Sequence, residues 1–421
     1  MDGRTNLIIL SLDEVRPDHL SCYGYEGINT PGHDRMANEG VRFETCISSA
    51  DFTPVAMASV ITGKDPSRHG MREPYQELHG QTIASILKAQ GFATAGFVGN
   101  GLLSAKHGYA TGFDFWDEPT EEACVAEVRY GMKEGVVHYD GNYWVESFFS
   151  WLKDHRESRF FMWGHFFETH EGSEESLIRK GLLDEASAAD FGYYDAKIEM
   201  ADQQLICRLL ATLDELGIGD RTILVVMSDH GTNLGEHPGN PIPWRGGEKI
   251  YPQHTTMYDH DLKVSLLVRG GGLPQGKIVH GMVRSIDLVP SLLDLLNLKP
   301  ASAEFDGESW LPCVNEGMAQ GRNAYSEDVF EPRGTGVVQS LRTDSAKFIR
   351  NLTQGTEEYY DLNADPSEQQ NILDRADAHT LVSLRKELNR HLLAAKQSPD
   401  TFSDSEKDVI ARRLRALGYV E

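Results

Sequence analysis

The stretch ADFTPVAMASVITGKDPSRHG (50–70) presents a hydroxyl, that of Thr53, at the mouth of a run with apolar residues at helical spacing. A threonine hydroxyl is a weak nucleophile near neutral pH and needs a base or a bound cation to act as an alkoxide. Two other stretches can supply that cation's ligands. In NLIILSLDEVRPDHL (6–20) an apolar run ends in Asp13 and Glu14, and in TILVVMSDHG (222–231) another ends in Asp229 and His230. Imidazole with carboxylate suits zinc or manganese, whereas an all-oxygen set suits calcium. Arg16, three residues beyond Asp13, is placed either to contact an anionic substrate or to pair with Asp18. Successive strand residues point to opposite faces, so Glu14 joins Asp13 only if the backbone turns just past the strand end.

These residues are far apart in sequence, and an open, mostly parallel α/β sheet is the architecture that gathers them. The carboxyl ends of its strands line one crevice. The run after Thr53 reads as a helix, which puts the hydroxyl at a helix N-terminus where free amides favour an anion; N-capping is the plainer role for a threonine there. TIASILKAQGFATAGFVGN (82–100) reads as helix, glycine stop and strand ending at Asn100. RFFMWGHFFETHEG (159–172) reads as a buried strand ending near Glu168 and His170, with His165 a structural residue inside it. Residues 193–217 have the spacing of one amphipathic helix ending at Gly217, which feeds directly into the strand before Asp229. From about Asn323 the chain changes to short alternating strands with turns, then the helical TLVSLRKELNRHLLAAK and a final basic-striped helix.

With 421 residues, 40% hydrophobic and 25% charged, the chain can bury one large core and a smaller appended unit. Its formal net charge of -24 argues against nucleic acid or an anionic membrane as a general partner. No apolar stretch approaches the length of a membrane span. The five cysteines, Cys22, Cys46, Cys124, Cys207 and Cys313, are scattered and never in CxxC spacing. With no secretory signal visible in MDGRTNLIIL, a cytoplasmic location is the expectation.

The chain resembles the sulfatase family within the alkaline phosphatase superfamily. LDEVRPDHLSCYG resembles the opening metal strand, FTPVAMASVITGKDPSRHG the nucleophile segment and SDHGTNLGEH the second metal strand. HTTMYDHDLKVSLLVRGGG, SIDLVPSLLDLLNL, FDGESWLP and EEYYDLNADPSEQQNI follow in the family's order. The resemblance implies a large mixed, mostly parallel sheet flanked by helices over 1–322, and a small C-terminal antiparallel sheet subdomain with terminal helices over 323–421. Family sulfatases carry a Cys or Ser that is oxidised to formylglycine. Counting back from Thr62-Gly63 places that position on Thr53, with Pro54 one place early and Met57 where the motif has arginine. Cys46 lacks both the proline and the arginine.

Threonine cannot become the aldehyde whose hydrate expels sulfate. A phosphothreonine, by contrast, can be attacked in line at phosphorus by water. The resemblance therefore implies a metal-dependent hydrolase of phosphoric mono- or diesters or phosphonate esters acting on a small anionic substrate. The alternatives are a sulfatase without formylglycine, a phospho-group transferase, or a non-catalytic anion-binding homologue. His170 falls where relatives have a histidine on the transferred group. His254 falls where sulfatases place a sulfate-binding lysine, with Lys249 nearby for the same task, and Asn100 lies in a substrate-binding loop. Convergence of His170, His254 and His260 would hold a second metal, and a homo-oligomer is compatible with all of this.

Overall fold

The computed structural model describes residues 5–119, 142–170, 192–237, 241–243, 250–252, 256–300, 303–317, 321–330, 336–394, 403–404, 407–408 and 410–411. Strand β1 (Asn6–Leu12) is buried along its whole length. Leu7 and Ile9 enter a core shared with Met57, Val60 and Ile61, while Ile8, Leu10 and Leu12 enter a second core with Phe148, Leu152, Ile198 and Leu209. A strand covered on both faces has no polar side to show, which is why β1 reads as a continuous apolar run.

The main sheet has nine strands. With β1 they are β2 (Gly40–Ile47), β3 (Ala93–Val98), β4 (Phe115–Asp117), β5 (Phe160–Phe166) and β6 (Thr222–Ser228), then β9 (Lys263–Val264), β10 (Leu266–Arg269) and β11 (Lys277–Arg284). Two short strands, β7 (Pro241–Pro243) and β8 (Ile250–Pro252), pair separately. The order is β11-β2-β10-β6-β1-β5-β3-β4, with β9 beside β2. Strands β9 and β10 run antiparallel to their partners and the other pairings are parallel. The expected mixed, mostly parallel sheet is thus the observed one. Its centre matters most for the site: β6, β1 and β5 are parallel neighbours that end level, Leu12 standing opposite both Ser228 and Phe166.

Helix α1 (Pro31–Glu39) precedes β2, and α2 (Thr53–Thr62) follows it. The helix expected over 193–217 is present from Gly192 to Glu215, but it is not regular, since Asp202–Cys207 widens into a π-helix. There Asp202 accepts the Gly32 and His33 amides at the start of α1, both at 2.9 Å.

A four-stranded antiparallel sheet follows, built from β12 (Ala324–Asp328), β13 (Val338–Arg342), β14 (Ala346–Asn351) and β15 (Thr356–Asp361). Helix Ala378–Ala394 comes next, and most of the expected final helix lies outside the described residues. This second sheet is bonded to the segment leading into α2: Ser326 Oγ donates to Ser48 O at 2.6 Å and the Glu327 amide to Ser49 O at 3.0 Å. It also holds Asp259, which accepts from Lys347 Nζ at 2.9 Å and Arg342 Nε at 2.9 Å. Burial opposes ionisation of Asp259, yet Lys347 and then Arg342 keep its carboxyl well below the usual carboxylate range. Lys347→Met is expected to lower unfolding stability by about 3 kcal/mol, because it strands a buried carboxylate with one partner in place of two. Denaturant unfolding checks this, and a midpoint equal to that of the parent would show that the pair contributes nothing.

Candidate active site and metal centre

The level ends of β6 and β1 deliver four side chains to one place. Asp13 and Glu14 follow Leu12, Asp229 and His230 follow Ser228, and all four are fully buried. Asp13, Asp229 and His230 each bring one ligand atom to within 4.8 Å of the others. The protein occupies the atoms that face away. Asp229 Oδ1 accepts the amides of Glu14 at 3.1 Å and His230 at 2.7 Å. His230 Nδ1 lies 2.8 Å from Gly231 O, which can only accept, so Nδ1 carries the proton and Nε2 presents a lone pair.

Asp13 Oδ1 and Asp229 Oδ2 are buried with no hydrogen-bond partner among the described residues, and stand 3.7 and 3.5 Å from that Nε2. Burial foremost, then for Asp13 the neighbouring Asp229 charge, pushes both carboxyls above the usual range, Asp229 to about 6. Two carboxylate oxygens and one imidazole lone pair that converge on one point fit a divalent cation. Gly231 completes the corner: its amide donates to Asp261 O at 2.7 Å, and a Cβ there would lie 2.0 Å from His260 O.

Thr53 opens α2, but it is not the N-cap. Phe52 holds that position with extended backbone, and no side chain caps the helix. The Thr53 hydroxyl instead lies 3.2 Å from His230 Nε2 and 3.5 Å from Asp13 Oδ2. It therefore faces the convergence point of the ligand atoms, at the end of the helix dipole that favours an anion. Ser48 Oγ, donating to Asp229 O at 2.7 Å, fixes the approach to α2 against the end of β6.

Glu14 has φ +59, and this left-handed turn is what brings two successive carboxylates to one site. With Asp13 and His170 it forms a second trio of ligand atoms within 4.8 Å. His170 sits four residues past the end of β5; its Nε2 is 3.3 Å from Glu14 Oε1, and its ring stacks on Phe167. The expected convergence of His170, His254 and His260 includes His254, which lies outside the described residues. His260 Nδ1 pairs with His237 Nδ1 at 3.3 Å and its Nε2 with Thr256 at 3.2 Å, and His260 belongs to neither trio.

Arg16 forms the ion pair with Asp18 that its sequence position offers. It donates to both Asp18 oxygens at 3.0 and 2.7 Å, to Thr232 O at 3.1 Å and to Glu236 at 2.6 Å. Asn100 is fully buried; its Oδ1 accepts the Leu102 amide, while its Nδ2 has no hydrogen-bond partner among the described residues. His254 and Lys249 lie outside the described residues.

One residue read as merely structural stands beside the site. His165 is completely buried in β5, with Nε2 3.5 Å from Asp13 Oδ2 and Nδ1 3.0 Å from Ser11 Oγ. Burial pushes its pKa down to about 4, which leaves the ring neutral at pH 7. The signal that would have found it is the register of β1 against β5, which pairs Ser11 with His165.

Comparison with known proteins gives a consistent picture. A family model described as Sulfatase matches residues 5–298, and one described as N-sulphoglucosamine sulphohydrolase, C-terminal, matches 247–398. The chain is similar to an ulvan-active sulfatase of Formosa agariphila, 27% identical over 465 aligned residues covering 99% of this chain and 87% of that protein. Among solved structures it shares its fold with a protein in complex with its substrate D-glucosamine-2-N,6-O-disulfate, at TM-score 0.73 and 21% identity over 95% of this chain and all of that one (100%). It likewise shares the fold of the phosphonate monoester hydrolase of Agrobacterium radiobacter, at TM-score 0.70 and 20% identity over 96% of this chain and 99% of that one.

Proposed function

The chain belongs to the sulfatase family of the alkaline phosphatase superfamily and is an ester hydrolase, and from that premise we propose that it cleaves phosphoric or phosphonic esters through Thr53 as nucleophile. The observation that carries the reading is the Thr53 hydroxyl 3.2 Å from His230 Nε2 and 3.5 Å from Asp13 Oδ2, with Asp13 Oδ1 and Asp229 Oδ2 partnerless among the described residues. Asp13, Asp229 and His230 would hold a divalent ion, zinc or manganese by their mixed donor set; when bound, it lowers the pKa of a nearby hydroxyl and offsets charge on the transferred group. Asp13, Glu14 and His170 form the candidate second position.

In the proposed reaction the Thr53 hydroxyl gives its proton to water, its Oγ attacks phosphorus, an Oγ–P bond forms, and the ester P–O bond breaks. The leaving oxygen takes a proton from His170 or His254, and water then hydrolyses the phosphothreonine and restores the hydroxyl. The α2 N-terminus stabilises the anionic oxygens, and Asn100 Nδ2 and Lys249 are the proposed substrate donors.

A sulfuric ester is the second reading, favoured by the near-full-length similarity to a named sulfatase. Threonine argues against it, because a sulfated alcohol lacks the geminal hydroxyl that expels sulfate. Purified protein with Zn or Mn, offered nitrophenyl sulfate, nitrophenyl phosphate, bis(nitrophenyl) phosphate and a nitrophenyl phosphonate, separates the two. The expected result is release from at least one phosphorus ester at a kcat/KM at least tenfold above that for the sulfate. Sulfate preference would overturn the phosphorus reading.

A further inference from the structure

The cation site leaves one ligand without an account of its outward atom. His230 Nδ1 is held by Gly231 O, and Asp229 Oδ1 is held by two amides. Asp13 Oδ1 faces the site, so Oδ2 is the atom that needs a partner. Its neighbours are the Thr53 hydroxyl at 3.5 Å and His165 Nε2, also at 3.5 Å. If Thr53 gives up its proton to act, it cannot hold the carboxylate.

Resting on the cation reading above, we infer that His165 is a positioning residue: its Nε2–H donates to Asp13 Oδ2 and turns Oδ1 toward the ion. The network behind the ring decides its tautomer. Trp163 Nε1–H, which can only donate, gives to Ser11 Oγ at 3.1 Å. The Ser11 proton can go to His165 Nδ1 at 3.0 Å or to Gly164 O at 3.2 Å. A proton on Nδ1 would leave a bare Nε2 lone pair facing a carboxylate oxygen in a dry interior, two acceptors with nothing between them. A proton on Nε2 satisfies Trp163, Ser11, His165 and Asp13 in one chain. The 3.5 Å separation is long for a hydrogen bond, and a small rotation of the carboxylate closes it. The sheet places this chain, because Ser11 is opposite His165 and Asp13 lies two residues on, on the same face as Ser11.

The test uses the full chain with Zn or Mn alone, followed by calorimetry and by ¹⁵N NMR of the histidine rings. His165→Leu is expected to raise the metal Kd about 10- to 100-fold, the range for lost supporting partners of metal ligands. His165→Gln, whose amide N–H reaches the place of Nε2, should recover most of that loss, which a role in packing alone would not predict. In the Zn-loaded parent, where Asp13 is ionised, NMR should find His165 protonated on Nε2 and bare on Nδ1. A parent-like Kd in His165→Leu, a glutamine variant no better than leucine, or a proton on Nδ1 would each overturn the inference. If the leucine variant fails to fold, Ser11→Ala and the ring NMR still decide: the alanine variant should weaken metal binding with the ring in place, and an unchanged Kd counts against the relay. A parent that takes up no ion would sink the cation reading itself, an outcome distinct from a parent that binds the ion with a parent-like Kd in His165→Leu.

Discussion

Thr53→Ala is expected to reduce turnover by about four to six orders of magnitude, the range seen when a covalent nucleophile is removed from a hydrolase. The variant should stay folded, and that makes the result interpretable. Thr53 is the first residue of α2 and Phe52 the N-cap, so no capping bond is lost, and alanine is the better helix former. Asp13, Asp229 and His230 remain in place, so metal uptake should fall by less than tenfold. Thr53→Ser, which keeps the oxygen and drops a methyl, should retain measurable turnover and the trapped phospho-enzyme. Alanine activity within tenfold of the parent would remove Thr53 from the chemistry, whatever the ester.

Stripping the cation with a chelator is the second large effect, and its dependence on pH is specific. Burial above all, joined for Asp13 by the Asp229 charge, raises the Asp13 and Asp229 carboxyls above their unfolded values, Asp229 to about 6. The metal-free folded state therefore holds protons that the unfolded chain has released. Its stability falls as pH rises from about 4 through 6 and stays low above that. A bound cation replaces those protons, so the stabilisation it supplies is largest above pH 6 and fades toward pH 4, where protons compete for the same oxygens. At a free metal concentration 100 times Kd the gain is about 2.7 kcal/mol, or about 3 °C in Tm for a chain of this size. Turnover should vanish with the chelator and return on adding metal back. Melting curves with and without chelator that coincide from pH 4 to 8 would rule out an ion at Asp13, Asp229 and His230.

The parts of this site that could be read from sequence are those that end a buried strand. Asp13 and Asp229 each close an apolar run, and an acidic residue in that context has few structural reasons to exist. Sequence does not give strand order, so it could not show that β5 lies on the other side of β1 from β6, which is what brings His170 to Glu14. It also does not give backbone sign: Glu14 enters the site only through a positive φ that glutamate rarely adopts. His165 shows a related ambiguity. In a strand buried on both faces, a histidine aimed at a carboxylate and one packed in the core have the same neighbours in sequence. For Arg16 the pairing with Asp18 is legible from a spacing of two residues, whereas its bonds to Thr232 and Glu236 join segments more than 200 residues apart.

Asp259 sits between the second sheet and the corner where Asp261 O receives the Gly231 amide, and Ser326 and Glu327 grip the approach to α2 from the same side. The candidate site, which joins Asp13 and Thr53 to Asp229 and His230, is therefore buttressed by a sheet that begins only at Ala324. Hybrid enzymes made by recombining relatives would have to inherit residues 256–262 and the strands from Ala324 to Asp361 as one cassette; a crossover between them would separate the lock from its key.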